Sequence, residues 1–422
     1  METSNTNRRD FLKAGAIATA TAASVNLMPT GIHAAGNEVI KVGLIGCGGR
    51  GTGAVKDSLE ADKSIQIHAL GDFFLDKAQG YSKQLSKDYG ERAAIGDRVF
   101  GGLDNYKQVL NSGVDLVILA TPPGFRPTHL EAAVKANKHV FCEKPVAVDG
   151  PGIRKCMELV EESKKRKIAI VAGTQRRHQA GYIETIKQIQ DGAIGDIVSA
   201  RCSWNGNGIW FHPRKEGVSD LAYQINNWYH FLWLCGDHIV EQHVHNLDVM
   251  NWVLGGHPVK AVGFGGRMAR PVGKPNDVGH IWDHFSIEYE YPNGVPVSSY
   301  CAHLPGITSD VSETVYGTKG KSLLNAYRIN KKKVFDKDPI NPYVQEHIDL
   351  VNSIKAGKPL NELQSVTEST LTAIMGRMAA YSGKTVTWEQ ALNSTVSTMP
   401  EGLSESSKIE VSPVPVPGKY KV

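Results

Sequence analysis

Val42-Gly43-Leu44-Ile45-Gly46-Cys47-Gly48-Gly49-Arg50-Gly51 is the stretch that decides the fold. Its first half is an apolar run of strand character, and its second half satisfies GxGxxG at Gly46, Gly48 and Gly51. In a chain with 43 glycines among 422 residues that spacing alone arises by chance. Context raises it: a strand ahead, a helical pattern behind, and Asp72 closing the next strand 21 residues past Gly51. Glycines there let the backbone turn tightly and approach a pyrophosphate, which the free N–H groups and dipole of a helix N-terminus attract. A carboxylate at Asp72 accepts hydrogen bonds from ribose hydroxyls and repels a 2′-phosphate, so NAD is expected over NADP. Arg50 keeps NADP open, because a guanidinium can reach such a phosphate. Gly46, Gly48, Gly49, Arg50, Gly51 and Asp72 are the expected cofactor-binding residues of this half.

Outward from that turn, short β-branched runs alternate with amphipathic stretches. Strands are predicted at 40–45, 65–70, 116–120, 139–142 and 168–172, and helices at 53–59, 75–89, 127–136 and 152–165. Such strands are almost continuously apolar because a parallel sheet is covered on both faces. After residue 179 the pattern changes to one helix at 182–191 and alternating stretches at 197–204, 259–265, 284–291 and 297–303, which read as antiparallel strands with one covered face. Helices at 343–356 and 367–382 precede an end too rich in proline to pair as a central strand. The expected fold is α/β: an N-terminal doubly wound parallel sheet of Rossmann type over residues 36–178, then an α+β domain with a mostly antiparallel open sheet over 179–422, serving substrate binding and oligomerisation.

A formal charge of +4 from 47 basic and 43 acidic residues is nearly balanced, and no basic stripe interleaves with aromatics. Nucleic acid is thereby excluded as an expected partner. No apolar run is long enough to make the body span a membrane. The six cysteines, Cys47, Cys142, Cys156, Cys202, Cys235 and Cys301, have no pairing pattern and read as buried thiols rather than a disulfide frame or zinc site. The N-terminus nevertheless points to export. Asn7-Arg8-Arg9-Asp10-Phe11-Leu12-Lys13 resembles a twin-arginine signal, followed by an alanine-rich stretch to Met28 and small residues at Ala34-Ala35-Gly36. Residues 1–35 are expected to be that signal and the mature chain periplasmic, with an uncleaved anchor or a plain amphipathic helix as the alternatives. Folded export also reconciles free thiols with a life outside the cytoplasm.

Three further segments resemble the Gfo/Idh/MocA family of oxidoreductases. Asp115-Leu-Val-Ile-Leu-Ala-Thr121-Pro122-Pro123, with His129 behind it, is similar to the family's fourth-strand end, which passes the nicotinamide ribose. Lys138-His-Val-Phe-Cys-Glu143-Lys144-Pro145 resembles its Glu-Lys-Pro signature. Gly236-Asp-His-Ile-Val-Glu241-Gln-His-Val-His245-Asn-Leu-Asp248 resembles its Asp-x-x-x-His-x-x-Asp segment, with Glu241 where the family usually has aspartate. The resemblance covers roughly residues 40 to 330. It implies that Thr121, Pro122, His129, Glu143 and Lys144 join the cofactor site, that Lys144 holds the reacting hydroxyl behind a cis Lys-Pro peptide, and that Lys144, His245 and Glu241 are catalytic. The residues agree with these roles. A lysine at the carboxyl end of a parallel strand sits at a ligand edge, where desolvation and a cationic ring should lower its pKa. Glu241, His245, Asp248 and Trp252 fall at i, i+4, i+7 and i+11, predicting one helix face on which a carboxylate orients His245 and raises its basicity. The extra methylene of Glu241 shifts its carboxylate by ~1.5 Å. His238 and His243 accompany His245, but the three do not share a face, and no metal is expected.

Substrate recognition is expected from the aromatic segments containing Trp210 and Trp228, with Arg177 and Asp248, because flat rings cover the C–H faces of sugars while polar groups take the hydroxyls. The expected activity is oxidation of a secondary hydroxyl of a sugar or glycoside by tightly bound NAD, in a homo-oligomer, dimer or tetramer. Two other readings stand beside it: an NAD-dependent glycoside hydrolase using transient oxidation and elimination, and a non-catalytic sugar-binding protein.

Overall fold

The computed structural model describes residues 39–421, so the export signal read in residues 1–35 lies outside them. The glycine-turn strand is the centre of the first sheet. Its strands are β1 (Ile40–Ile45), β2 (Ile65–Gly71), β3 (Val99–Phe100), β4 (Leu116–Leu119), β5 (His139–Cys142) and β6 (Ile170–Ala172). They run in the order β3-β2-β1-β4-β5-β6, every pairing parallel. Alternate residues of each strand feed two separate cores: Val42, Leu44, Leu116 and Ile118 enter one, and Ile45, Val117 and Leu119 the other. That two-sided burial is why the strands read as unbroken apolar runs. The strand order reverses between β1 and β4, and there the carboxyl ends open a crevice.

The second sheet follows in β7 (Ile197–Gly206), β8 (Lys260–Gly266), β9 (His284–Glu290), β10 (Pro296–His303), β11 (Asp310–Gly317), β12 (Gly320–Leu323), β13 (Arg328–Ile329), β14 (Lys332–Lys333) and β15 (Val386–Thr387). Their order is β14-β13-β12-β11-β7-β10-β9-β8-β15. The pairings are antiparallel except β7 with β10 at the centre, which is parallel, so the sheet is mostly antiparallel as expected. The chain leaves β7 for a long helical excursion before the sheet resumes, and β10 returns beside it in the same direction. Alternation is clean: Ala261, Phe285, Ile287 and Val297 are buried while Val262, Phe264 and Tyr300 are exposed. Helix Leu363–Ser382 packs on the covered face.

The boundary at residue 178 does not capture the tail. Helix Pro342–Lys355 sends Leu350, Val351 and Ile354 into the core of β1 and β4, and Leu363 and Val366 enter the core on the opposite face. Residues 342–366, grouped with the second unit on sequence, therefore complete the first. Among the described residues no helix is long and apolar enough to cross a membrane, and the six cysteines are buried and unpaired.

Candidate active site

The carboxyl ends of β1, β4 and β5 form one wall of a cavity of about 590 Å³, and residues from the second domain form the other. The glycine turn comes first. Gly46 has φ +104°, and a Cβ there would lie 2.6 Å from the Ala120 carbonyl carbon. A Cβ on Gly51 would meet the Gly46 carbonyl oxygen at 2.0 Å, so this residue is bare for helix-to-strand packing and lies behind the cavity wall. A Cβ on Gly48 or Gly49 would meet nothing within 4 Å, and both residues face the cavity. Helix Gly49–Ala61 starts there with no side chain capping it. Its first N–H groups, a bare turn and open space form a cradle that fits a pyrophosphate.

At the next strand end, the Asp72 carboxylate accepts from the Cys47 N–H at 2.7 Å and the Phe74 N–H at 2.9 Å, which fixes it at the cavity wall. Arg50 turns away from it. Its Nε lies 2.5 Å from Glu143, its other end meets Asp57 at 3.0 Å, and its guanidinium covers the Tyr343 ring at 4.8 Å. The guanidinium is thus engaged at the strand-β5 end, while Arg50 still borders the cavity. Thr121 and Pro122 border the cavity after β4. Thr121 Oγ1 lies 3.1 Å from Nδ1 of His129, whose ring stacks on Tyr106 at 4.4 Å.

Lys144 follows β5 directly, and the Lys144–Pro145 peptide is cis. Its ammonium is buried and donates to both the main-chain carbonyl of Glu241 and the Glu241 carboxylate, the latter at 3.0 Å. That first bond exists because the helix expected through Glu241 and His245 is broken. One turn, His238–Glu241, ends and a second helix, Val244–Leu254, begins. His243 N–H reaches back to the His238 carbonyl and His245 N–H to that of Gln242, so the Glu241 carbonyl loses its helical partner and takes the lysine instead. Glu241 thus serves Lys144 rather than His245. The expected rise in His245 basicity is corrected as well: burial, then Lys144, Arg176 and Arg50, push it well below the ordinary imidazole value. His245 faces the cavity as a neutral ring stacked 5.8 Å from Trp204.

Trp210 and Trp228 also border the cavity, their rings 6.3 Å apart. Arg177 and Asp248 do not. They bind each other through bonds of 2.8–3.0 Å, with Ser369 adding another to Asp248, so both expected substrate contacts are consumed in a structural pair. Two more residues belong to the site without a sequence motif to mark them. Arg126 is buried and donates to the carbonyls of Leu119 and Thr121, setting the turn after β4. Tyr343 arrives from the returning tail helix, and only its proline-led helix start is visible in sequence.

Electrostatics extend beyond the cavity. Burial holds His129, His243, His280 and His347 down to about 3 and His230 and His303 to about 4. His178 is the opposite case: burial opposes its charge, but hydrogen bonding to Asp349 and Glu362 prevails and raises it to about 10. The six depressed groups bind protons only in the unfolded chain between about pH 4 and 6.5, so their effect is to remove stability as pH falls below 6.5. His178 stabilises below pH 6.5, and that contribution is lost as pH rises toward 10. With these six, and with His238 and His245, which burial also holds well down, against one, each depressed ring costing up to ~2 kcal/mol at pH 5, Tm should fall steadily from pH 7 to pH 5. A flat Tm over that range would show that these rings are hydrated in solution.

Fold and site together define a Rossmann nucleotide-binding domain whose cavity is closed by a second, sheet-based domain. Comparison with known proteins gives the family. Residues 40–173 match the Gfo/Idh/MocA oxidoreductase family, NAD-binding Rossmann fold, and residues 182–322 match the Gfo/Idh/MocA C-terminal domain, so the chain belongs to this family. A glycosyl hydrolase family 109 protein of Streptomyces coelicolor is 26% identical over 47% of this chain and 39% of its own length. Inositol 2-dehydrogenase 3 of Saccharopolyspora erythraea is 29% identical over 49% of this chain and 56% of its own length. The chain thus spans about half the length of the curated relatives it matches. The structure of scyllo-inositol dehydrogenase from Lactobacillus casei, with bound NAD(H) and scyllo-inositol, superposes with a TM-score of 0.63 at 18% identity, covering 83% of this chain and 100% of the other.

Proposed function

We propose that this protein oxidises a secondary hydroxyl of a sugar or glycoside with NAD(P). The observation that supports this best is the convergence of Lys144 and His245 on the cavity that the glycine turn also borders. Bound nicotinamide supplies the hydride acceptor. The chain's residues do the rest. Lys144 has three donors, two of which Glu241 takes. Its third N–H is left to hold the substrate hydroxyl, and neutral His245 accepts the proton from that hydroxyl. Trp210 and Trp228 offer flat apolar faces to the sugar ring. Incubation with a panel of glycosides, followed by mass spectrometry and NMR of the products, tests the assignment. A ketone product supports it, and unchanged glycosides throughout would count against it.

The match to a glycosyl hydrolase family 109 protein favours a second reading, in which oxidation is transient and hydride returns after elimination. In that case sugar is cleaved with no net reduction of nucleotide. NAD is the expected cofactor because the Asp72 carboxylate is fixed at the cavity wall. Asp72→Ala should weaken NAD by about tenfold, ~1.4 kcal/mol, and shift the preference toward NADP. A wild-type protein that binds NADP more tightly would reverse this assignment. We also read the chain as periplasmic and as holding its cofactor tightly, since free NAD is scarce there. The exposed sheet face with Val262, Phe264 and Tyr300 is where we place the contact of a homo-oligomer.

A further inference from the structure

The cofactor cavity is bounded at its Asp72 end by an apolar cluster that belongs to neither domain alone. Its centre is Leu221, Ile225, Phe231, Trp233 and Ile409. Phe73, Phe74 and Leu103, which border the cavity beside Asp72, pack on it from the first domain. Met399, Leu403 and Val411 pack on it from the C-terminal tail. Among the described residues this tail has no helix or strand after residue 393, yet it is not loosely laid. Ile409 is 4% exposed, its N–H donates to Asp220 at 3.2 Å and its carbonyl accepts from Gln224 at 3.1 Å. Val411 N–H donates to Asn276 at 2.9 Å. Thr398 fixes the near end of the segment through two bonds to Asp149, at 2.7 and 3.0 Å.

Between those anchors the segment reaches the nucleotide wall itself. Glu405 lies so close to Gly102 that a Cβ on that glycine would be 2.4 Å from the carboxylate, and Gly102 borders the cavity. Gly102 is in turn bonded to Phe73 and Asn105, both on the same wall. The segment therefore ties the substrate-domain residues 220–225 and 276 to the rim around Asp72. Nucleotide leaving by that end needs the two domains to part, and parting them exposes this shared apolar cluster to water.

We propose that residues 399–411 are a retaining strap of the dinucleotide site, which keeps the adenosine end closed and makes nucleotide release slow. The proposal rests on the cofactor reading above and adds what holds the cofactor in. It predicts a kinetic effect: the rim must open for nucleotide to enter as well as to leave, so weakening the strap should speed both steps with little change in affinity, because the strap makes no hydrogen bond that the nucleotide itself would need.

Hydrogen exchange on the full chain, with and without NADH, tests this without any substitution. Binding should slow exchange both at residues 46–52 and at residues 399–411. Protection of the glycine turn with none in the tail would overturn the strap while leaving the cofactor site intact. Absence of protection at both would overturn the cofactor reading and the strap with it. A paired variant adds the rate: Leu403→Ala with Met399→Ala, at two partly exposed positions, should speed NADH dissociation at least tenfold in a fluorescence chase with its Tm nearly unchanged. Dissociation within twofold of wild type in the folded variant would overturn the proposal.

Discussion

Lys144→Ala is expected to lower kcat/KM by about 10²–10⁴-fold, a barrier increase of roughly 3–5 kcal/mol, while nucleotide affinity stays within a few fold. The effect is large because the ammonium is the group that meets three needs together. It is buried, it stands at the end of β5 on the cavity wall, and it is held by two oxygens of one residue on the opposite domain. Removing it leaves the Glu241 carboxylate without its cation in a site where water is scarce, so some loss of stability accompanies the loss of rate. Lys144→Arg separates the two effects. The guanidinium keeps the charge beside Glu241, but its planar fork cannot put a donor where the third ammonium N–H holds the substrate hydroxyl, so stability should recover and turnover should not. If the arginine variant turns over at wild-type rate, Lys144 supplies only charge. If the alanine variant does, it is no catalytic residue.

Gly46→Ala should cost nucleotide affinity by about 100-fold or more, ~2.7 kcal/mol, and lower Tm as well. A side chain at φ +104° is strained by about 1–3 kcal/mol, and its Cβ would press on Ala120 and on the Thr121 nitrogen at 2.7 Å. The turn after β1 can relieve that contact only by moving off β4, which opens the cradle. Gly48→Ala makes the control. Gly48 has ordinary φ of −76° and open space around it, so the protein should fold with unchanged Tm and lose affinity only through what the new methyl occupies in the cavity. Calorimetric titration with NAD reads both. Wild-type affinity in Gly46→Ala would remove the glycine turn from the nucleotide site.

These contrasts also mark what the sequence can convey. The parallel sheet is legible because each of its strands is buried on both faces, and unbroken apolar runs such as 42–45 and 116–119 suit few positions except the middle of such a sheet. Strand β3, two residues long, carries no period to detect. The break between Glu241 and His245 is invisible for a different reason. Their four-residue spacing suits a continuous helix as well as two, and what stabilises the break is Lys144, 97 residues away. Arg177 and Asp248 mislead because a bidentate ion pair uses the same residue types as a sugar site, and only packing shows that each already has its partner. Tyr343 reaches the cavity through a tail helix whose return to the first domain no local pattern announces.

The most direct measurement follows hydride. Wild-type protein with NAD is mixed with glycosides carrying deuterium on their ring carbons, while absorbance at the reduced-nicotinamide band is recorded and the nucleotide is then recovered and weighed by mass spectrometry. One glycoside should produce a rise in absorbance and a nucleotide heavier by a single deuterium, and Lys144→Ala should produce neither. Nucleotide that is bound by the wild-type protein yet gains neither absorbance nor deuterium with any glycoside would contradict net oxidation of a sugar hydroxyl as the function of this site.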